Sequence, residues 1–147
     1  MSGDETDTKA IVKEYLKAFN EQDYEALKKR AAEDMVEHGT EEVLEGIDEV
    51  VEYLQSYYEM FPDYAGQMDA IMAEDDLVTI RYTAQGTHTG SYKDIDPTGQ
   101  YVEWPGMAMY RIEDDQIAEV WVEEDRLSLV EELKNFDISD YYFELGG

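Results

Sequence analysis

Leu77-Val78-Thr79-Ile80-Arg81-Tyr82-Thr83-Ala84-Gln85-Gly86-Thr87-His88-Thr89 alternates between two sets of side chains along its length. A period of two is that of a β-strand with one face buried. It sends Val78, Ile80, Tyr82, Ala84 and His88 to one side, and Thr79, Arg81, Thr83, Gln85 and Thr87 to the other. The same period recurs from about Gly66 to Ala73, from Tyr101 to Ile112 and from Gln116 to Glu124. Asp75-Asp76 and Asp114-Asp115 suit tight hairpins between these runs, while Asp94 to Gly99, with Pro97, makes a longer loop.

Upstream of Tyr64 the period lengthens to that of a helix. Ile11, Val12, Tyr15, Leu16, Ala18 and Phe19 form a first amphipathic stripe, interrupted at Asn20 to Asp23. Asp23 is placed to cap a short second helix through Tyr24, Ala26, Leu27 and Ala31. Met35-Val36-Glu37-His38 reads as a brief extended segment ending at Gly39. Gly46 precedes a third helix with the stripe Val50, Val51, Leu54, Tyr57, Tyr58 and Phe61, stopped by Pro62, and a closing helix runs from about Leu127 to Leu133.

Helices first and a mostly antiparallel sheet afterwards predict an α+β fold with the helices packed on one sheet face. No repeat or linker divides the chain, so residues 1–147 read as one domain: a leader at 1–5, a core at 6–134 and an acidic, tyrosine-containing tail at 135–147. Alternation puts Ile117 and Trp121 on one side of the last strand and Ala118, Val120 and Val122 on the other. Apolar residues on both sides predict a homodimer through the outer sheet face.

The chain carries 37 acidic and 11 basic residues, a formal net charge of -26, yet 43% of it is hydrophobic. Nucleic acid and anionic membranes are therefore poor partners, and the apolar content argues against disorder. At about 1 M salt the Debye length falls to roughly 3 Å and such charges barely repel, which predicts a salt-accumulating cytoplasm. The opening Met1-Ser2-Gly3-Asp4-Glu5 has neither the basic nor the apolar region of a signal peptide, and no run is long enough to span a bilayer. With no cysteine, thiol catalysis, disulfides and cysteine-ligated metals are excluded.

His88 is one of only two histidines, and its strand parity directs it inward. It reads either as a pocket imidazole bonded to a substrate oxygen or as a core histidine satisfied by its neighbours. Asp125 has two readings as well. It caps the closing helix, or it acts as a pocket base whose pKa is raised by burial beside Trp121 and by Glu123 and Glu124. His38 either joins the mouth of a helix–sheet cleft or lies on the surface, and Asp63 reads as a turn residue after Pro62. Tyr15, Phe19, Tyr58, Phe61, Tyr82 and Trp104, with Trp121 and His38, are the candidate substrate-binding residues, although the same spacings serve a core. Neither His-x-x-x-His nor Glu-x-x-His occurs, so no metal is expected. Without a Gly-x-Gly-x-x-Gly run, a phosphate loop or a Gly-x-Ser-x-Gly elbow, no nucleotide cofactor or serine nucleophile is expected either.

Taken in order, Phe19-Asn20-Glu21-Gln22-Asp23, Val36-Glu37-His38, Gly46, Phe61-Pro62-Asp63, Gly86-Thr87-His88-Thr89-Gly90, Pro97-Thr98-Gly99, Tyr110-Arg111-Ile112, Ile117 with Glu119, and Trp121 with Asp125 resemble the SnoaL-like polyketide cyclase family. The resemblance runs from about Ile11 to Leu133. It implies the cone-shaped fold of the nuclear transport factor superfamily: a curved, mostly antiparallel sheet with helices on its concave face, closing a deep apolar pocket, usually in a dimer. It also implies cofactor-free acid/base chemistry on a hydrophobic carbonyl-bearing small molecule, as in an intramolecular aldol cyclisation, with Asp125 as acid/base and His88 as its partner. The closing helix departs from the family's usual Gln-Leu-Gly ending with Leu129-Val130-Glu131-Glu132-Leu133. The rival expectation from the same fold is a non-catalytic ligand-binding or dimeric interaction module.

Overall fold

The computed structural model describes residues 5–39 and 42–134. The tail expected at 135–147 and most of the leader lie outside the described residues. In chain order the elements are α1 (Glu5–Asn20), α2 (Tyr24–Lys29), β1 (Ala31–His38), β2 (Val43–Glu45), α3 (Ile47–Met60), β3 (Ala65–Glu74), β4 (Leu77–Thr87), β5 (Tyr101–Glu113), β6 (Gln116–Glu124) and α4 (Arg126–Lys134). The strands form a single curved sheet in the order β2-β1-β6-β5-β4-β3. All neighbours are antiparallel except β1 and β6, which run parallel. The fold is the α+β architecture expected from the periodicities.

Local signals account for most boundaries. Asp23 caps α2 by accepting a hydrogen bond from the Ala26 amide at 3.1 Å. α3 follows Gly46, whose φ of 90° is open to glycine and strained for other residues. The β5–β6 hairpin turns on Asp114 and Asp115 at φ 54° and 61°, the pair of positive values that a two-residue type I′ turn requires. The two elements without a clear sequence signal are β2, only three residues long, and the first half of β1, where Ala31 to Asp34 extends the strand beyond the expected Met35 to His38.

Alternation along β5 is complete. Val102, Trp104, Gly106, Ala108, Tyr110 and Ile112 are buried on the inner face, with Tyr101, Glu103, Pro105 and Met107 exposed on the other. Along β6 the alternation breaks. Arg111 pairs with Glu119 but Ile112 pairs with Ile117, so Ala118 is the extra residue of a β-bulge. The bulge puts Ile117 on the inner face with Val120 and Val122, while Trp121, paired to Met109, faces outward. Strict parity had grouped Ile117 with Trp121; the extra residue separates them.

α1 packs against β3, β4 and β6, α3 against β1 and β2, and α4 against β5. Val12 and Tyr15 of α1, Val50 and Leu54 of α3, and Ile80, Ala108 and Tyr110 of the sheet are buried in one core. At the opposite end, Phe61 lies 5.2 Å from Trp104 and 5.7 Å from His88 between ring centroids, which plugs the base of the sheet with aromatic rings. Between the plug and the helices the inner face stays open.

Candidate functional site

A cavity of about 330 Å³ lies between α1, α3 and the inner face of the sheet, within the size range of small-molecule pockets. Tyr15, Leu16 and Phe19 come from α1, Tyr53, Leu54 and Tyr57 from α3, and Ile80, Tyr82, Ala108, Tyr110 and Val122 from the strands. Each residue is there for a periodic reason: one stripe per helix and the inward parity per strand. Into this largely apolar wall project the carboxyl groups of Glu37, from β1, and Glu124, from the end of β6, while Glu21 is exposed just past the end of α1.

Glu124 is held from several sides. Its Oε2 accepts a hydrogen bond from the Tyr82 hydroxyl at 2.9 Å and its Oε1 one from the Tyr57 hydroxyl at 3.2 Å. The Arg126 guanidinium stands 3.6 Å from the same Oε1 and donates to the Tyr57 hydroxyl at 2.6 Å and to the Tyr53 hydroxyl. Arg126 follows Glu124 by two residues, so the turn from β6 into α4 places the cation beside the carboxylate. Gly106 makes room for the contact: a Cβ there would stand 2.5 Å from the Tyr82 hydroxyl oxygen and 3.0 Å from Glu124 Cγ.

Glu37 stands in a different environment. It is 6% exposed, and no described residue donates a hydrogen bond to its carboxyl group. Burial first, then the charge of Glu124, push its pKa up to about 7, against a smaller lowering by Arg126. A carboxyl group that titrates near neutrality and faces an apolar cavity is suited to take a proton and return it.

The residues expected to carry chemistry sit elsewhere. Asp125 is exposed and caps α4: its Oδ1 accepts from the Ser128 amide at 3.0 Å and its Oδ2 from the Ser128 hydroxyl at 2.7 Å. His88 is fully buried under the loop that follows β4. Its Nδ1 accepts from the Thr98 amide at 3.2 Å and lies 3.0 Å from the Thr98 hydroxyl, while its backbone pairs with Gln100 and Gly99. An amide can only donate, so the ring proton belongs on Nε2, and burial lowers the pKa of the imidazole. Neither residue is among the described residues that line the cavity, and the two are not brought together there.

Of the expected substrate-binding residues, Tyr15, Phe19 and Tyr82 line the cavity. Tyr58 is turned away and donates to the Phe19 carbonyl at 2.9 Å. Phe61 and Trp104 belong to the aromatic plug. His38 and Trp121 are on the outer face, stacked with centroids 5.4 Å apart, and His38 Nε2 lies 2.6 Å from Glu119 Oε2. Asp63 is the turn residue it resembles, accepting from the Thr87 amide at 2.6 Å and the Thr87 hydroxyl at 2.7 Å.

Glu37 and Glu124 went unrecognised in the sequence although a signal was present. Met35 and Glu37 share one strand parity, as do Val120, Val122 and Glu124, so each acid ends an apolar row. Among the described residues no group of three or more His, Asp or Glu is arranged to hold a metal ion.

The profile of the SnoaL-like polyketide cyclase family matches residues 9–133. Among solved structures, AclR of Streptomyces galilaeus, a candidate hydroxylase, is similar at 27% identity and a TM-score of 0.82, covering 91% of this chain and 100% of its own. IdmH of Streptomyces antibioticus, a candidate polyketide cyclase, is similar at 27% identity and a TM-score of 0.77, covering 86% of this chain and 98% of its own. TsrD of Streptomyces laurentii shares the fold at 23% identity and a TM-score of 0.80, over 88% of this chain and 96% of its own. No functionally curated protein matches the chain.

Proposed function

Because the chain belongs to the SnoaL-like polyketide cyclase family, we propose that it performs cofactor-free acid/base chemistry on a hydrophobic, carbonyl-bearing small molecule held between α1, α3 and the sheet, with Glu37 moving the proton. The observation that carries this reading is a buried carboxyl group, facing an apolar cavity, whose pKa is pushed up to about 7. In an intramolecular aldol closure, ionised Glu37 removes a proton beside one carbonyl and leaves an enolate. The enolate carbon then bonds to a second carbonyl carbon, and Glu37 returns the proton to the resulting alkoxide. A positioned group of this kind contributes about 10² to 10⁴ in rate. Glu124, held by Tyr57, Tyr82 and Arg126, keeps the Glu37 pKa high and so acts as a positioning residue. In this reading Asp125 and His88 hold α4 and the loop after β4.

Exchange of the benzylic α-protons of 2-tetralone in D2O, followed by proton NMR, tests the base without knowledge of the natural substrate. Glu37→Gln is expected to lose the catalysed exchange, while Asp125→Asn and His88→Asn, folded by circular dichroism, keep it. Exchange that survives Glu37→Gln, or vanishes in Asp125→Asn, overturns the assignment. Tight binding of 2-tetralone without exchange favours the ligand-binding module instead.

The outer sheet face supports a homodimer as part of the same proposal. Strand register aligns Val43, His38, Trp121, Met109, Thr79 and Met72 in one row across the sheet, and Val43 and Met72 are 55% and 65% exposed. The acid excess supports a cytoplasm that accumulates salt as the working medium. Among the described residues no helix is long and apolar enough to cross a membrane.

A further inference from the structure

Three tyrosines on the cavity wall make no hydrogen bond within the Glu124 cluster: Tyr64, packed against Phe19 and Trp104, and the neighbouring Tyr15 and Tyr110. Tyr15 of α1 is 3% exposed and Tyr110 of β5 is 5% exposed, and their rings meet edge to face with centroids 6.2 Å apart. The Tyr15 hydroxyl is buried without a hydrogen-bond partner, and among the described residues none pairs with the Tyr110 hydroxyl. Tyr53, Tyr57, Tyr58 and Tyr82 differ, each donating to or accepting from a named neighbour. Buried hydroxyls are ordinarily satisfied, so two neighbouring cavity-wall tyrosines whose hydroxyls no described residue engages mark a place for an acceptor.

Both rings also lie within the field of Glu37. Its charge, after burial, is the next largest cause raising the pKa of each phenol, so both stay protonated and keep a proton to donate. We infer that the Tyr15 and Tyr110 hydroxyls donate hydrogen bonds to the oxygen that becomes an enolate when Glu37 takes the α-proton, so that the site selects compounds presenting an enol, enolate or phenol oxygen on an apolar frame. This rests on the assignment of Glu37 as the base.

The charge balance is consistent. Before transfer the negative charge is on Glu37; afterwards Glu37 is a neutral acid, the C–H bond is broken, and the charge is on the substrate oxygen. The net charge of the cavity is unchanged, and the donors are needed only where the charge arrives. Such preorganised donors act on the transition state more than on the ground state.

2-Naphthol, an aromatic mimic of the enol of 2-tetralone, serves as the probe, with naphthalene as the same frame lacking the oxygen. Wild-type protein is expected to bind 2-naphthol at least about tenfold more tightly than naphthalene, and Tyr15→Phe and Tyr110→Phe each to lose about three- to tenfold for 2-naphthol alone. In the exchange of 2-tetralone both variants should lower kcat more than they raise KM. Far- and near-UV circular dichroism checks that removing one oxygen leaves the fold intact. Equal affinity of wild type for 2-naphthol and naphthalene, or both variants binding 2-naphthol as wild type does, overturns the inference. If Glu37→Gln abolishes exchange while both tyrosine variants are unaffected, the donor pair falls and the base stands. Tyrosine-dependent 2-naphthol affinity without any exchange by the wild type leaves the donor site and removes the base.

Discussion

Glu37 couples the chemistry of the cavity to the stability of the chain. Its pKa rises from an ordinary 4.5 to about 7 on folding, so between those values the folded protein binds a proton that the unfolded chain has released. The contribution of this group to stability is therefore fully present below about 4.5 and is lost as pH rises through about 7. Glu37→Gln should leave stability unchanged near pH 4 and raise it at pH 8 by roughly 3 kcal/mol, the amount expected for a shift of this size. Urea denaturation of both proteins at the two pH values measures it. The same ionisation sets activity: α-proton exchange should climb with pH to a plateau, with its midpoint near 7. Asp125→Ala should cost about 1 kcal/mol through loss of the α4 cap and leave that midpoint in place.

At the scale of the elements, the site depends on where strands bring acids and glycines into register. Gly106 on β5 pairs with Glu124 on β6 and with Tyr82 on β4, and its missing Cβ lets the tyrosine hydroxyl and the carboxylate meet above it. Gly106→Ala is expected to push Tyr82 off Glu124 and destabilise the fold by about 1–3 kcal/mol, as overpacking does. With Glu124 displaced, the Glu37 pKa loses one of its two raising causes, so the exchange midpoint should move to lower pH. An unchanged midpoint in a folded Gly106→Ala protein would separate Glu124 from the tuning of Glu37. The bulge at Ala118 matters for the same reason, because it sets the parity that turns Glu124 inward and Trp121 outward.

For the whole molecule, a charge of -26 opposes compaction and the outer sheet row favours association. Both effects are predicted to depend on salt. The melting temperature should rise from dilute buffer to about 2 M KCl as the Debye length contracts. Highest stability in dilute buffer would remove the salt-adapted reading. Light scattering in high salt should report a dimer, and Met107→Glu, which adds a charge to a side chain 50% exposed on that face, should yield monomers. Because Met107 points away from the cavity, exchange per subunit should survive the substitution; a monomeric wild-type protein under the same conditions counts against the interface.

The sequence by itself determined most element types and the hairpin turns, because periods of two and 3.6, Asp-Asp turns and capping aspartates are local and need no partner to be read, and its ordered short motifs carried the resemblance to the family. It also determined that His88 points inward and that Asp125 stands where a cap is wanted, both of which follow from position along one element. Only the tertiary structure decided what lay opposite them. Thr98 sits on the His88 ring, and the cavity opens past Glu37 and Glu124 instead. The physical reason is that a single strand's parity gives a side chain's face but not its depth, and a bulge such as that at Ala118 reverses the face as well. The parallel pairing of β1 with β6, which brings Glu37 beside Val120, joins segments more than eighty residues apart, and no local pattern encodes a contact of that range.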